Sequence, residues 1–377
     1  MDNNVPPPPQ PPVPPPLVLA PPKTSPPRPR GSSGWKVAVL LLAILLALSL
    51  LFNARQVVHG LVAVGSTRHA GPRLEESILE DNNARDKIAV IPVEGVIAGE
   101  SLGRDGYTMV DYIQDQLKMA GEDEHVKAVL LKVNSPGGEV LASDDIYAAI
   151  VKFQEETEKP VITSMGSLAA SGGYYVSAPS RWIVANELTI TGSIGVIMHS
   201  INYRGLMDKV GLRPEVFKSG KFKDMLSGSK KETEVTEEER QMIQKLVNET
   251  FQKFKSIVAE GRKSANDSNK GSKDAKGQTL SKDWEDYADG RVLSGKEALK
   301  LGFVDELGNF DTAVNRAKKL AGISDANLVQ YQQPFSLGSL FRLFGKSEAA
   351  VVKVDLGMET PKVQAGRLYF LSPTYIR

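Results

Sequence analysis

Ser171 lies in Met165–Ala178, MGSLAASGGYYVSA, between a strand-like run, Pro160–Ser164, and a short helix-like one. A serine at the first turn of a helix has its hydroxyl beside unpaired backbone N–H groups and the positive end of the helix dipole, which favours a developing oxyanion. Gly172 and Gly173 add no side chain that would block a substrate backbone. An isolated Ser-Gly-Gly is equally a plain helix cap, so a nucleophile must be argued from its partners. A serine nucleophile needs a base. The four histidines, His59, His69, His125 and His199, show no HxxxH or HExxH spacing, and nothing in the sequence orients His199, the one nearest to plausible active loops. A lysine serves when desolvation disfavours its ammonium form. Lys218, Lys221 and Lys223 follow a strand-like run, and composition alone does not choose among them.

Composition narrows the classes further. The chain has 377 residues, 41% hydrophobic and 24% charged, enough for one large or two modest domains with a real core. Its 46 basic and 45 acidic residues leave a net charge of +1 and no electrostatic footprint for nucleic acid. With no cysteine, disulfides, thiolate metal sites and a cysteine nucleophile are excluded, and the sequence calls for no metal and no cofactor.

The elements that must position these residues follow in order. Residues 1–34 hold 14 of the 23 prolines and read as a disordered cytoplasmic tail. Residues 35–54 contain the uncharged run Val37–Ala54, whose 18 residues span roughly 27 Å as a helix, enough to cross a bilayer core. Its exit offers no A-x-A-like cleavage site, so the expectation is an uncleaved transmembrane anchor. Lys23, Arg28, Arg30 and Lys36 precede it, which by the positive-inside rule leaves the tail in the cytoplasm and the rest outside. Residues 55–86 read as a juxtamembrane linker with room for one helix.

From residue 87 apolar strand-like runs alternate with helical patterns. The runs are Lys87–Glu94, Val126–Val133, Val161–Ser164, Trp182–Ala185, Thr189–Met198 and Pro214–Lys218; the helical patterns are Tyr107–Ala120, Ser143–Glu158 and Tyr203–Val210. The alternation predicts an α/β fold with a parallel sheet, whose ligands bind at the carboxyl ends of strands. Both glycine-rich loops, Asn134–Gly138 and the one with Ser171, fall at such ends. A long helix follows, capped by Thr236 and Glu239, with Met242, Ile243, Leu246, Val247, Phe251, Phe254, Ile257 and Val258 on one face. Residues 262–282 read as an exposed loop, Ser294–Leu301 and Asp311–Ala321 as helices. Residues 331–377 form a C-terminal extension, weakly patterned apart from the apolar run Arg367–Leu371.

The segments VNSPGG, MGSLAASGGYYVSA, TGSIGVIM, KSGKFKD and ADGRVLSGKEALKLGFVDELG, in this order, resemble the signal peptide peptidase A group of the serine–lysine peptidases, family S49. The resemblance covers residues 87–330 and implies a ClpP/crotonase-like fold of repeated ββα units. It implies that Ser171 is the nucleophile and Lys223 the general base, that Ser193 helps position the lysine, and that Gly138 and Gly172 supply the oxyanion hole. It further implies a membrane-anchored endopeptidase for remnant signal peptides or other membrane-associated peptides. A single copy of the motif set resembles the short form of the family, a ring- or dome-shaped homo-oligomer in which neighbouring protomers share active sites. Three alternatives stand beside it: a related peptidase trimming a specific stomatin-like membrane protein, a crotonase-type CoA enzyme, and an inactive oligomeric scaffold.

Overall fold

A computed structural model describes residues 36, 39–46, 49, 71–101, 106–270, 276–334 and 368–371. The chain divides into two units, Met1–Arg68 and His69–Arg377. In the first, residues 36, 39–46 and 49 are helical; the other positions of the expected anchor and the proline-rich tail lie outside the described residues. Among the described residues no helix is long and apolar enough to cross a membrane.

The second unit is built on strands that the apolar, β-branched runs dictate. Strand β1 is Glu75–Glu80, β2 Lys87–Glu94, β3 Val126–Ser135, β4 Gly137–Glu139, β5 Val161–Ala169 and β6 Trp182–Ala185; β7 is Ile190–Gly192, β8 Ile197–Met198, β9 Val292–Ser294, β10 Glu306–Leu307, β11 Asn327–Gln332 and β12 Leu368–Leu371. Among the described residues, β1-β11-β2-β3-β5-β6-β10 form one sheet with β7 and β9 attached through β5, and β4-β12-β8 form a second. From β11 to β10 the pairings are parallel. Parallel neighbours need crossovers that cover both faces, and β2 and β3 are accordingly apolar on both sides.

Alternate residues of these strands feed two cores. Helix α7, Phe310–Ala321, presents Ala313 and Ala317 to Ile88, Val90, Leu130, Ile162 and Trp182 on one face. On the other, Ala89, Ile91, Val93, Leu131 and Val133 meet α1 (Met109–Glu122), α2 (Val140–Thr157), α3 (Gly172–Ser177) and α5 (Glu237–Ser268). Helices α4 (Arg204–Lys209) and α6 (Gly295–Leu301) complete the set.

Several expectations change. Glu75–Glu80, within the stretch expected to be a linker, is a strand paired antiparallel with β11. Strand β5 runs on to Ala169, because Leu168 and Ala169 continue pairing with β7 and β3. The run Thr189–Met198 splits, since Gly192 (φ 72°) and Ser193 (φ 51°) leave the extended region. Pro214–Lys218 forms no strand: Phe217 is 94% exposed and no neighbour pairs with the segment. Within 262–282, α5 continues to Ser268, and Arg262 is 1% exposed rather than part of a surface loop. Of the apolar face expected on α5, Phe254, Ile257 and Val258 are buried while Leu246 is exposed.

Candidate active site

Ser171 occupies the N-cap position of α3, as its place before Gly172-Gly173 implies, but its hydroxyl makes no capping hydrogen bond. The Oγ is buried and has no hydrogen-bond partner among the described residues. The backbone holds it there: its N–H donates to the Gly192 carbonyl at 2.8 Å and its carbonyl accepts from Tyr175 N at 2.9 Å. The residue sits at φ 55°, ψ −118°, a conformation that costs a side-chain-bearing residue of the order of 1–3 kcal/mol. The capping expectation is thus corrected. The serine is turned out of the capping geometry and its hydroxyl is left free for another task.

The loop after β3 closes over this turn. Ala170 N donates to Ser135 O at 3.1 Å, and Gly137 N to Ser135 Oγ at 3.1 Å. A Cβ on Gly172 would stand 3.0 Å from Gly137 Cα and 3.1 Å from Gly138 N, so the two glycine backbones are in direct contact. Gly137, at φ 97°, has room for no side chain, since its Cβ would fall 2.5 Å from Gly172 N. The loop is fixed from behind by Ile97, which donates to Gly137 O at 2.9 Å and accepts from Glu139 N at 2.8 Å. Ser193 is placed beside this turn through Gly192, whose carbonyl accepts from Ser171 N; it is 4% exposed, and its N–H donates to Arg291 O at 2.7 Å.

Ser171, Gly172, Gly138 and Ser193 are therefore brought together. Lys223 lies in an exposed turn, and no hydrogen bond links it to the Ser171 hydroxyl. Its neighbours are engaged: Lys218 pairs with Asp224 and Lys221 with Glu238, whereas no ion pair involves Lys223 among the described residues. No residue from 199 to 235 is buried, and Leu206, Val210, Leu212 and Phe217 are exposed. His199 is exposed as well and gives Ser171 no partner.

Sequence reasoning did not see what lies across the glycine loop. Strand β12 pairs antiparallel with β4, Phe370 opposite Gly138, and with β8 on its other edge. Phe370 is fully buried and stacks on Tyr175 at 4.7 Å, with Phe254 also at 4.7 Å. The Tyr175 hydroxyl donates to Asp144 Oδ1 at 2.6 Å, and burial, then that carboxylate, push the phenol's pKa up. The apolar character of Leu368–Leu371 was a visible signal, but its partner strand was not. An extended segment laid against a glycine-lined strand beside a free serine hydroxyl shows the geometry in which a peptide bond could be presented for acyl transfer. Among the described residues no cluster of three His, Asp or Glu side chains could hold a metal ion.

The profile of peptidase family S49 matches residues 153–324. The chain is similar to a putative signal peptide peptidase SppA of Enterococcus faecium, 36% identical over 276 residues, or 72% of this chain and 74% of that protein. It is also similar to the chloroplastic serine protease SPPA of Arabidopsis thaliana, 32% identical over 277 residues, or 72% of this chain but 38% of that longer protein. A solved structure of a membrane-bound stomatin-specific protease superposes with a TM-score of 0.39 at 14% identity, covering 67% of this chain and 100% of that one.

Proposed function

The chain belongs to peptidase family S49 and is a serine endopeptidase, and from that premise we propose that Ser171 and Lys223 form its catalytic dyad, with Gly138 and Gly172 as oxyanion donors. The observation that carries the proposal is the Ser171 hydroxyl, buried, unpartnered and held at positive φ against the glycine loop. In this reading the neutral Lys223 amine takes the hydroxyl proton as Oγ adds to the scissile carbonyl. The Gly138 and Gly172 N–H groups hold the resulting oxyanion. The amine then passes the proton to the leaving nitrogen, and water, deprotonated by the same lysine, releases the acyl group. Ser193 positions the lysine.

Family membership also supports the ClpP/crotonase-like ββα arrangement as the finer description of the α/β fold. The substrate we propose is an extended apolar peptide, a remnant signal peptide or another membrane-associated segment, bound where β12 lies along Gly137–Glu139. Membrane attachment through residues 35–54, with the peptidase unit outside the cytoplasm, is part of the proposal and rests on the uncharged run and its basic flank. So is a homo-oligomer in which one protomer's Lys223 serves its neighbour's Ser171. The exposed arm 199–235, with Leu206, Val210, Leu212 and Phe217 on its surface, supports that arrangement, as does the absence of a hydrogen bond from Lys223 to the Ser171 hydroxyl within the chain.

The test is labelling of the purified full chain with a fluorophosphonate, together with cleavage of synthetic signal peptides. Wild type should be labelled at Ser171 and cleave the peptides, whereas Lys223→Met should do neither at a measurable rate. An unlabelled wild type would leave the scaffold reading, and an active Lys223→Met would move the base to another residue. A second substitution probes the oxyanion hole. A Cβ at Gly138 would stand 1.9 Å from Ile97 O, so Gly138→Ala must displace the backbone that carries the donor. Loss of one donor costs about 10²–10³ in kcat, and steady-state kinetics on a fluorogenic peptide should show a loss of that size with KM nearly unchanged.

A further inference from the structure

The lysine-rich loop carries more charge than its proposed chemistry uses. Lys218 Nζ donates to both Asp224 oxygens at 2.9 Å and to Lys221 O at 3.1 Å. Lys230 Nζ reaches Asp224 Oδ1 at 3.5 Å and also pairs with Glu239 on α5. Glu239, whose side chain is 5% exposed, in turn accepts from Thr236 N at 3.0 Å as part of the capping box that starts α5. Lys221 pairs with Glu238 on the same helix. The remaining charged groups facing this cluster are themselves engaged: Arg204 on α4 pairs with Asp208 at 2.9 Å, and Glu234 accepts from Lys231 N at 3.0 Å. Thus Asp224, Glu238 and Glu239 are matched by Lys218, Lys221 and Lys230, whereas Lys223, adjacent in sequence to Asp224, forms no ion pair among the described residues, and neither does Lys231 beyond it.

We propose that Lys218, Asp224, Lys230 and Glu239 are positioning residues that latch the Lys223 loop to the start of α5 and hold the Asp224 and Glu239 carboxylates on their own cations, leaving the Lys223 amine without a counter-ion. The proposal rests on Lys223 being the general base. A general base must be neutral to accept a proton, and a free carboxylate beside it would favour the ammonium form. Asp224 is the group most able to do this, and it is the one clasped by two cations. The hydrogen bond from Lys218, and then the charge of Lys230, hold its carboxyl below the usual range; the hydrogen bond to Lys230 does the same for Glu239.

The proposal is tested by the pH dependence of the fluorophosphonate labelling rate and of kcat/KM on a fluorogenic peptide, using the full chain. Lys218→Met releases part of the Asp224 charge and should move the acid limb of both profiles to higher pH by about half a unit, the size of one unit charge at a few ångströms in water. Lys230→Met releases both Asp224 and Glu239 and should move it further. Asp224→Asn leaves Lys218 uncompensated, while Lys230 keeps Glu239, and should move it the other way. These shifts should shrink in 1 M salt, where exposed charges are screened, and Lys230→Arg should restore the wild-type limb. A merely structural role would lower rates without moving the limb. If Lys223→Met abolishes labelling but the limb stays in place for Lys218→Met, Lys230→Met and Asp224→Asn, the sequestration fails and the base assignment survives. If Lys223→Met remains active, it is the base assignment that falls.

Discussion

Ser171→Ala should fold normally and hydrolyse nothing: kcat is expected to fall by about 10⁴–10⁶, the range seen when a nucleophile is removed from a preorganised site, with the melting temperature almost unchanged. The two halves of that expectation come from the same observation. The hydroxyl forms no hydrogen bond among the described residues, so its removal breaks none. Alanine meets the same backbone strain at φ 55° as serine and fits the same space, so the fold has little to lose. Under the proposed assignment the reaction loses the atom that forms the acyl bond, and only the proposed glycine donors remain. Steady-state kinetics beside a thermal melt of the same preparation would check both; activity within about tenfold of wild type would remove Ser171 from the reaction.

The largest expected loss of stability lies behind the site. Arg262 and Asp305 are 1% and 0% exposed at their side chains and form a buried ion pair. The guanidinium also donates to Ser180 O at 3.1 Å, and Asp305 accepts from Ile183 N at 2.8 Å and Gln278 N at 3.0 Å. The pair therefore ties α5 to the segment that follows the serine helix and to β6. Arg262→Leu leaves the carboxylate buried without its counter-charge, which costs about 3–5 kcal/mol and should lower the melting temperature by roughly 10 °C in a unit of this size. Adding Asp305→Leu removes the stranded charge, and the double variant should recover part of the loss. A double variant no better than the single would show that packing around Arg262, and not the charge, is what matters.

The parts of this structure that local patterning controls were readable in advance. Lys87–Glu94 is a strand with the bounds expected, because an apolar run rich in β-branched residues has no stable alternative in a parallel sheet. The start of α5 was equally legible, since Thr236 and Glu239 form the reciprocal capping hydrogen bonds that their spacing implies. What failed depended on distant partners. Residues 75–80 have weak intrinsic preference and become a strand only because β11 lies alongside. Arg262 sits in a polar stretch whose composition suggests solvent, and only Asp305, far along the chain, makes it a buried residue. In the site, the glycines and Ser193 were marked by the quoted motifs. The aromatic contacts of Phe370 with Tyr175 and Phe254 join three separate parts of the chain, and no local period encodes them.

The positive φ angles of Ser171 and Ser193 carry an evolutionary consequence. Both residues hold backbone that glycine adopts freely, so a glycine at either position would relieve strain of the order of 1 kcal/mol. Drift toward a sturdier fold thus points, at these two places, straight at the loss of the hydroxyl groups. With the proposed roles of Ser171 and Ser193, a laboratory selection that scored heat tolerance alone would erode the reaction before it touched the core, and only continued demand for cleavage would keep serine where the fold would accept glycine.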